Sequence, residues 1–129
     1  MSKEEVTLTN NMVLKKVMIA NQLRHPHIQE CFQLGGYNCS ISICKAFLAG
    51  PSHKNYQPQN DETFQKFLDG FIIYSRGTKE APAIIPKTIE NLLESLADQE
   101  NLEALEVIIE LATEALYDAM GEDEEDELL

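Results

Sequence analysis

The stretch from Phe64 to Gly77 constrains the fold more than any other part of the sequence. Apolar side chains recur in it at i, i+3, i+4, i+7 and i+8, which is the spacing of one face of an α-helix. These side chains are Phe64, Phe67, Leu68, Phe71 and Ile72. Their burial is worth on the order of 10 kcal/mol at about 25 cal/mol per Å² of apolar surface. The pattern predicts a central core helix that Asn60 or Asp61 caps and that Gly77 ends.

Three more helices are predicted before this one, and no segment has the alternating apolar pattern of a β-strand. The first helix begins at Asn10 or Asn11, where a side-chain oxygen can accept hydrogen bonds from free amides. Its inward side chains are expected to be Val13, Val17, Ala20 and Leu23, with Met12 and Ile19 beside them. The second helix starts at Pro26 and ends at Gly35, and the third follows a cap at Ser40. We therefore predict an all-α fold with a small four-helix domain.

Charge divides the sequence into two unlike parts. Residues 1–87 contain all 10 Lys and Arg and 7 of the 22 acidic residues, which gives a charge of +3. Residues 88–129 contain the other 15 acidic residues and no Lys or Arg, which gives a charge of −15. Apolar residues in this second part keep a helical spacing, so one or two acidic helices are expected after Pro86.

The predicted organisation has five segments. They are a flexible arm over 1–9, a helical domain over 10–77, a linker over 78–86, an acidic helical segment over 87–120 and a disordered acidic tail over 121–129. No apolar run approaches the roughly 20 residues that cross a bilayer, and the charged start lacks an apolar signal region. The three Cys are an odd number, which argues against a closed disulfide framework. A cytoplasmic location is therefore expected.

Three short motifs follow one another in the first part of the chain. They are Asn10-Asn11-Met12-Val13-Leu14-Lys15-Lys16, then Pro51-Ser52-His53-Lys54-Asn55-Tyr56, then Phe67-Leu68-Asp69-Gly70-Phe71-Ile72 followed by Arg76-Gly77. Their order and spacing resemble the repeat unit of the YehS-like bacterial family, a domain of unknown function that usually occurs in two copies. The resemblance covers roughly residues 9–86. It implies a small all-helical domain without known catalytic activity, and the acidic segment stands where a second copy would begin.

Residues 27–46 fit the frame of a helix-turn-helix, whose second helix enters the major groove of DNA. The outward residues of that helix would be Asn38, Ser42 and Lys45. A single basic residue is a poor reader of guanine edges, and the charge of −15 on the second part opposes approach to DNA. An ordinary helical corner is the competing interpretation. A helix-turn-helix DNA-binding transcriptional regulator is the alternative function that this pattern leaves open.

Histidine and cysteine residues in the first part are candidates for metal or nucleophilic chemistry. They are His25, His27, Cys31, Cys39, Cys44 and His53. No Cys-x-x-Cys or His-x-x-x-His pair accompanies them, so the ligand spacing of a structural zinc site is missing. Cys39 precedes a helix N-terminus, which favours a thiolate, but the sequence identifies no base and orienting group for it. We expect no metal, no cofactor and no enzymatic activity.

The loop of His53, Lys54, Asn55 and Tyr56 is the candidate surface site in the first part. Its polar and aromatic groups lie between two prolines, and positioned loops often carry function. In the competing structural interpretation, Tyr56 fills the core and Asn55 caps a turn. The sequence favours neither interpretation over the other.

The last predicted helix offers a candidate acidic docking face. Its outer positions are Glu103, Glu106, Glu110, Glu114 and Asp118. Such a face is either a solvated, solubilising surface, or it docks on a basic protein, or it imitates the charge of nucleic acid. We predict a non-enzymatic helical interaction or regulatory protein. Its expected partner is another protein with a basic surface; nucleic acid is a less favoured partner, and a membrane is not expected.

Overall fold

The computed structural model describes residues 7–128, with side chains as far as Gly121, and its regular elements are helices. They are α1 Asn10–Ala20, α2 His25–Leu34, α3 Ile41–Leu48, α4 Asp61–Arg76, α5 Lys87–Asp98 and α6 Leu102–Leu128. Residues 7–128 contain no strand, and Gly77 and Pro82 form an isolated antiparallel bridge. The all-α prediction is confirmed. The chain divides into two units, residues 1–89 and 90–129, and most of the predicted arm over 1–9 lies outside the described residues.

The crossing of α2 and α4 is the closest helix packing in the first unit. Gly35, immediately after α2, and Gly70, within α4, allow the two backbones to touch. A methyl group on Gly70 would overlap the Cys31 carbonyl oxygen, and one on Gly35 would overlap the Lys66 carbonyl oxygen. A larger residue at either position would therefore push the two helices apart.

The core of the first unit forms around Phe32 of α2 and Phe67 of α4, whose ring centroids lie 5.3 Å apart. Phe47 of α3 packs with its ring centroid 5.7 Å from that of Phe32, and Leu14 brings α1 into the same fully enclosed cluster. Each fully buried side chain of this size contributes about 1.5–3 kcal/mol. Because every one of the four helices supplies such a residue, the core depends on all four.

Local sequence signals determine where three of these helices begin. Thr9, Ser40 and Asn60 are the N-cap residues of α1, α3 and α4. The side-chain oxygen of each accepts a hydrogen bond from the amide three residues later, at distances between 2.8 and 3.2 Å. Gly36 and Gly77 follow the ends of α2 and α4 with positive φ values of 96° and 77°. A residue with a side chain adopts this backbone conformation only with strain.

The inward face predicted for α1 is partly wrong. Leu14 and Asn11 are the buried residues of this helix, whereas Val13 and Val17 are half-buried and Ile19 is 66% exposed. A hydrophobic pattern counts asparagine as an outward residue. Asn11 nevertheless lies inward, because its side-chain amide forms hydrogen bonds with three backbone groups. The buried face of α1 is therefore rotated from the predicted one.

The apolar stripe predicted for α4 is correct only in part. Phe67 is fully buried, and Phe64, Leu68 and Phe71 pack against the core, but Ile72 is 62% exposed. The buried line runs instead through Phe67, Gly70 and Tyr74. The close approach of α2 at Gly70 sets this line, and it leaves Ile72 on the outer side.

The second unit contains two helices rather than one, an alternative that the sequence left open. Residues 99–101 separate α5 from α6, and Glu100 adopts a positive φ of 55° there. The side-chain oxygen of Asn101 then caps α6 by accepting from the Ala104 amide at 3.2 Å. The helix passes Gly121, the predicted start of a disordered tail, and continues to Leu128. Gly121 lacks the positive φ that ends a helix, and a glycine inside a helix costs only about 1 kcal/mol.

Candidate functional site

Two adjacent asparagines anchor the loop that the sequence singled out. The Asn11 Nδ2 atom donates to the carbonyl oxygens of Phe47 at 2.9 Å and Gln57 at 2.8 Å. Its Oδ1 atom accepts from the Gln59 amide at 2.8 Å, while Asn10 Nδ2 donates to the Gln59 carbonyl at 3.0 Å. These bonds join α1, α3 and the loop after α3, so the pair Asn10-Asn11 has a structural role that its polarity alone did not reveal.

The loop itself presents most of its predicted site residues to solvent. His53, Lys54 and Asn55 are exposed, and Tyr56 is half-buried. The Asn55 amide donates to His53 Nδ1 at 3.0 Å, and the Tyr56 amide donates to the His53 carbonyl at 3.0 Å. His53 therefore stabilises the turn, a role that the sequence analysis had considered for Asn55. Tyr56 is not among the buried core residues.

Tyr56 borders a groove of about 200 Å³ beside the loop. The groove also contacts Lys15 of α1, Phe47 of α3 and the turn at Gly50 and Pro51. A cation, an aromatic ring and apolar walls could hold a small ligand or an inserted side chain. The loop is thus part of a concave surface, although the sequence analysis had not included Lys15 in it.

The predicted helix-turn-helix residues lie on one exposed side of the α2–α3 corner. Ser42 and Lys45 are exposed on α3, and Asn38 is exposed in the connection before it. This connection covers residues 35–40, and it is longer than the turn of about 3–4 residues in a DNA-binding motif. Lys45 is the only basic residue of the three, so the corner offers little charge for phosphate contacts.

The histidine and cysteine candidates do not assemble into one site. Cys31, Cys39 and Cys44 are buried free thiols, whereas His53 is exposed in the loop. His27 Nδ1 accepts from the Arg24 amide at 3.0 Å, which helps to hold the start of α2. In the described part of the chain, no three His, Cys, Asp or Glu side chains are grouped closely enough to hold a metal ion.

Two of the thiols do form a close pair. The Sγ atoms of Cys39 and Cys44 lie 3.0 Å apart, and Cys39 Sγ is also 3.5 Å from the Ser40 carbonyl oxygen. The hydrogen bond between the two thiols lowers the pKa of Cys39 and raises that of Cys44, while burial favours the neutral form of both. Burial, with a smaller effect of Glu30, raises the pKa of Cys31 to about 12. Cys39 is therefore the thiol of the pair that loses its proton first.

The second unit exposes both its charged and its apolar side chains. All five predicted docking residues, Glu103, Glu106, Glu110, Glu114 and Asp118, are exposed on α6. The same helix exposes large apolar side chains, among them Ile109 at 64% and Leu116 at 58%. No side chain in residues 90–121 is buried, including those on the apolar face of α5. α5 is amphipathic, and residues 90–121 form no buried core.

Two further grooves lie near the end of α4, where the sequence analysis had predicted only a linker. One of about 330 Å³ is bordered by Ser75, Arg76, Lys79 and Pro82, among others. The other, of about 400 Å³, includes Phe71, Ile72 and Arg76. Ile84 is fully exposed. This apolar residue, two positions before Pro86, was the sequence feature that could have indicated a surface site in the linker.

Among the described residues, no helix is both long enough and apolar enough to cross a membrane.

A comparison with protein-family models gives a match over residues 10–77, to the family described as "Protein of unknown function (DUF1456)". The matched region covers α1 to α4 and includes the three motifs and the loop. It confirms the resemblance to a family of unknown function. No curated protein and no solved structure matches the chain.

Proposed function

Because the chain belongs to the DUF1456 family, whose description assigns no activity, we propose a function from its surfaces. The protein is a non-enzymatic helical interaction protein that binds a basic, amphipathic segment of another protein through α5 and α6. The observation that carries this proposal is an acidic pair of amphipathic helices in which no side chain of residues 90–121 is buried.

The carboxylates and part of the apolar surface of α6 lie on different sides of the helix. At 100° per residue, Ile109, Ala112 and Leu116 fall on one side of the helix, whereas the five docking carboxylates centre on another side, which the exposed Val107 and Leu111 share. α5 repeats this separation, with Leu92, Leu93 and Leu96 on one face. An apolar helical face of this length is normally covered, and its incomplete burial here is typical of surfaces that bind a partner. Amphipathic helices bind one another through such faces, with the apolar side of one helix against the apolar side of the other.

Charge selects the class of partner. Residues 88–129 carry −15, so a second copy of this segment, an anionic membrane surface or a nucleic acid would be repelled. A segment with Leu or Ile on one side and Lys or Arg around them would satisfy both the apolar face and the carboxylates. A nucleic-acid-binding protein is one source of such a segment. We place the interaction in the cytoplasm, since three free thiols suit a reducing compartment.

Binding to defined peptides tests this proposal. The probe is a helical peptide with leucines at i, i+3, i+4 and i+7 and lysines at the other positions. Two matched peptides replace either its lysines by glutamates or its leucines by serines. We expect the full chain to bind the first peptide alone, with at least a tenfold loss of affinity between about 50 and 500 mM salt, because screening shortens the reach of the charges. Equal binding of the glutamate peptide, or no binding of any peptide, would exclude the proposal.

Two double variants test whether the peptide binds to α6 or to any exposed apolar side chain. The double substitution Ile109→Ser and Leu116→Ser should weaken peptide binding about tenfold or more, since each side chain buried on binding contributes about 1.5–3 kcal/mol. Ile19→Ser with Ile72→Ser is the matched control, because these isoleucines of the first unit are equally exposed, at 66% and 62%. An equal loss in both double variants would indicate that the peptide binds elsewhere or nonspecifically.

The DNA-binding alternative rests on the exposure of Asn38, Ser42 and Lys45 at the α2–α3 corner. A gel shift with random duplex DNA at about 50 mM salt tests it, since phosphate contacts are strong in that range. A shift that Lys45→Ala abolishes would support a regulator. The absence of a shift with the full chain at this salt concentration would remove the alternative.

A further inference from the structure

The close contact between Cys39 and Cys44 is not explained by packing alone. Their Sγ atoms are 3.0 Å apart, so an approach of about 1 Å would bring them to the ~2.05 Å of a disulfide bond. Both side chains are almost fully enclosed, at 1% and 0% exposure. The two sulfur atoms face each other inside the core, so a bond between them involves no other cysteine, and a small oxidant reaches them when the core opens locally.

The positions of the two residues on the chain allow this approach. Cys39 lies in the connection before α3, one residue ahead of the N-cap Ser40, and Cys44 lies inside α3. The Cys39 carbonyl oxygen accepts a hydrogen bond from Gln29 Nε2 at 2.9 Å, and the Tyr37 amide in the same connection donates to the Phe32 carbonyl at 2.9 Å. The backbone amide of Cys44 donates a hydrogen bond to the Ser40 carbonyl at 3.0 Å, which holds Cys44 in the helix. Because Cys44 is held within α3, the approach of the two sulfur atoms requires a small shift of the connection that carries Cys39.

We propose that Cys39 and Cys44 are an oxidation site at which the native chain forms an intramolecular disulfide bond when it meets a peroxide. Cys39 releases its proton, its thiolate attacks one oxygen of the peroxide, and the O–O bond breaks. Cys39 becomes a sulfenic acid, and the leaving oxygen takes up the released proton and departs as water or alcohol. Cys44 sulfur then attacks Cys39 sulfur, the S–O bond breaks, and water leaves with the Cys44 proton. The peroxide accepts the two electrons, and the third thiol, Cys31, takes no part.

Cys39 is suited to the first step because it lies against Cys44 and its hydrogen bond with the Cys44 thiol lowers the pKa of Cys39. The bond would tie the 35–40 connection to α3. That corner carries the exposed residues Asn38, Ser42 and Lys45. The disulfide bond would therefore restrict the movement of the surface that these three residues form. A thiol reductant would reverse the change.

Peptide mapping of the full chain tests the site directly. The reduced protein is exposed to hydrogen peroxide under native conditions, denatured, alkylated, and cut with trypsin and chymotrypsin. Cleavage after Tyr37 and Lys45 gives one peptide, residues 38–45, that holds Cys39 and Cys44 without Cys31. We expect this peptide to be unalkylated and lighter by two hydrogen atoms, with Cys31 alkylated, so that free thiols fall from three to one. Double alkylation of the peptide, or a bridge from it to Cys31, would overturn the proposal.

Variants assign the bridge to the two residues. Cys31→Ala should leave bridge formation unchanged, and Cys44→Ala should abolish it, leaving Cys39 open to alkylation or to further oxidation. Bridge formation that requires Cys31 would contradict the assignment. Circular dichroism checks that each variant folds. If Cys44→Ala does not fold, the peptide from the wild-type chain decides the question alone.

Discussion

Asn11 shows how one polar side chain can organise a small apolar domain. Its side-chain amide forms hydrogen bonds with two backbone carbonyl groups and one backbone amide in the segment from Phe47 to Gln59. Without Asn11, these three groups would lose their hydrogen bonds to water on folding and gain no other partner. The side chain is almost entirely buried, so the hydrogen bonds are shielded from competing water. The loop with His53 and Tyr56 therefore takes its position from a residue on another helix.

Replacing Asn11 by alanine should destabilise the protein by about 3 kcal/mol, because two buried backbone groups and one partly buried group lose their hydrogen bonds to its side chain. Asn10→Ala is the matched control. Asn10 donates to the Gln59 carbonyl and to the Asp61 carboxylate in a more exposed setting, so its loss should cost about 1 kcal/mol. Urea unfolding of both variants measures the difference. Equal losses would mean that the Asn11 bonds are not the buried anchor described above.

The pKa of Cys31, raised to about 12 mainly by burial, predicts a dependence of stability on pH. A thiol in the unfolded chain titrates near ~8.5. Above that pH the folded chain keeps a proton that the unfolded chain has lost. The stabilisation is therefore complete below the unfolded pKa and is lost as the pH rises toward the folded value. Relative to Cys31→Ala, the wild-type free energy of unfolding should fall by about 1 kcal/mol between about pH 8 and 9.5. Parallel pH profiles of the two proteins would contradict this prediction.

At the scale of the helices, the contact between Gly35 and Gly70 decides which faces are buried. It brings the α2 and α4 backbones together and aligns Phe67 and Tyr74 toward the core. The starts and ends of most helices were predictable, because caps such as Ser40 and terminators such as Gly77 act through neighbouring residues. The faces were less predictable, since they depend on contacts between residues far apart in the sequence.

The contrast between local signals and long-range contacts also explains which parts of the candidate surfaces could be predicted from the sequence. The acidic stripe on α6 follows from spacing within one helix, so its five carboxylates were predictable. The groove beside Tyr56 joins α1, α3 and the loop after α3, and the Cys39–Cys44 contact requires the connection to fold back on α3. No periodicity in the sequence encodes either arrangement.

Gly70→Ala tests the helix crossing. The added methyl group would overlap the Cys31 carbonyl oxygen and approach the Gly35 amide nitrogen to 2.7 Å. Because both are backbone atoms, the helices must separate, and we expect a loss of about 3 kcal/mol or more, at the upper end of overpacking costs. Gly50→Ala is the control: a methyl group there meets no atom within 4 Å, so unfolding in urea should change by less than about 0.5 kcal/mol. A Gly70→Ala variant as stable as the wild type would show that the crossing tolerates expansion.

At the scale of the whole molecule, the two units differ in how they are stabilised. The first unit has a core of fully buried side chains that includes Phe32, Phe67 and Leu14. Residues 90–121 have no buried side chain, and residues 88–129 carry −15. Helices without a packed face are marginally stable in water, and like charges along them add repulsion. A basic partner would therefore contribute both the missing apolar cover and the opposite charge.

Amide exchange on the full chain measures this difference in stability. Amides of α2 and α4 should exchange slowest, through global unfolding, while those of α5 and α6 should exchange at least about a hundredfold faster, through local opening. Adding the lysine–leucine peptide should slow exchange in α5 and α6 about tenfold or more and leave α2 and α4 unchanged, since only the helices that it covers gain protection. The glutamate–leucine peptide should have no effect. Protection of α5 and α6 equal to that of α4 in the free chain would mean that their apolar faces are already covered, and the proposed binding surface would not exist.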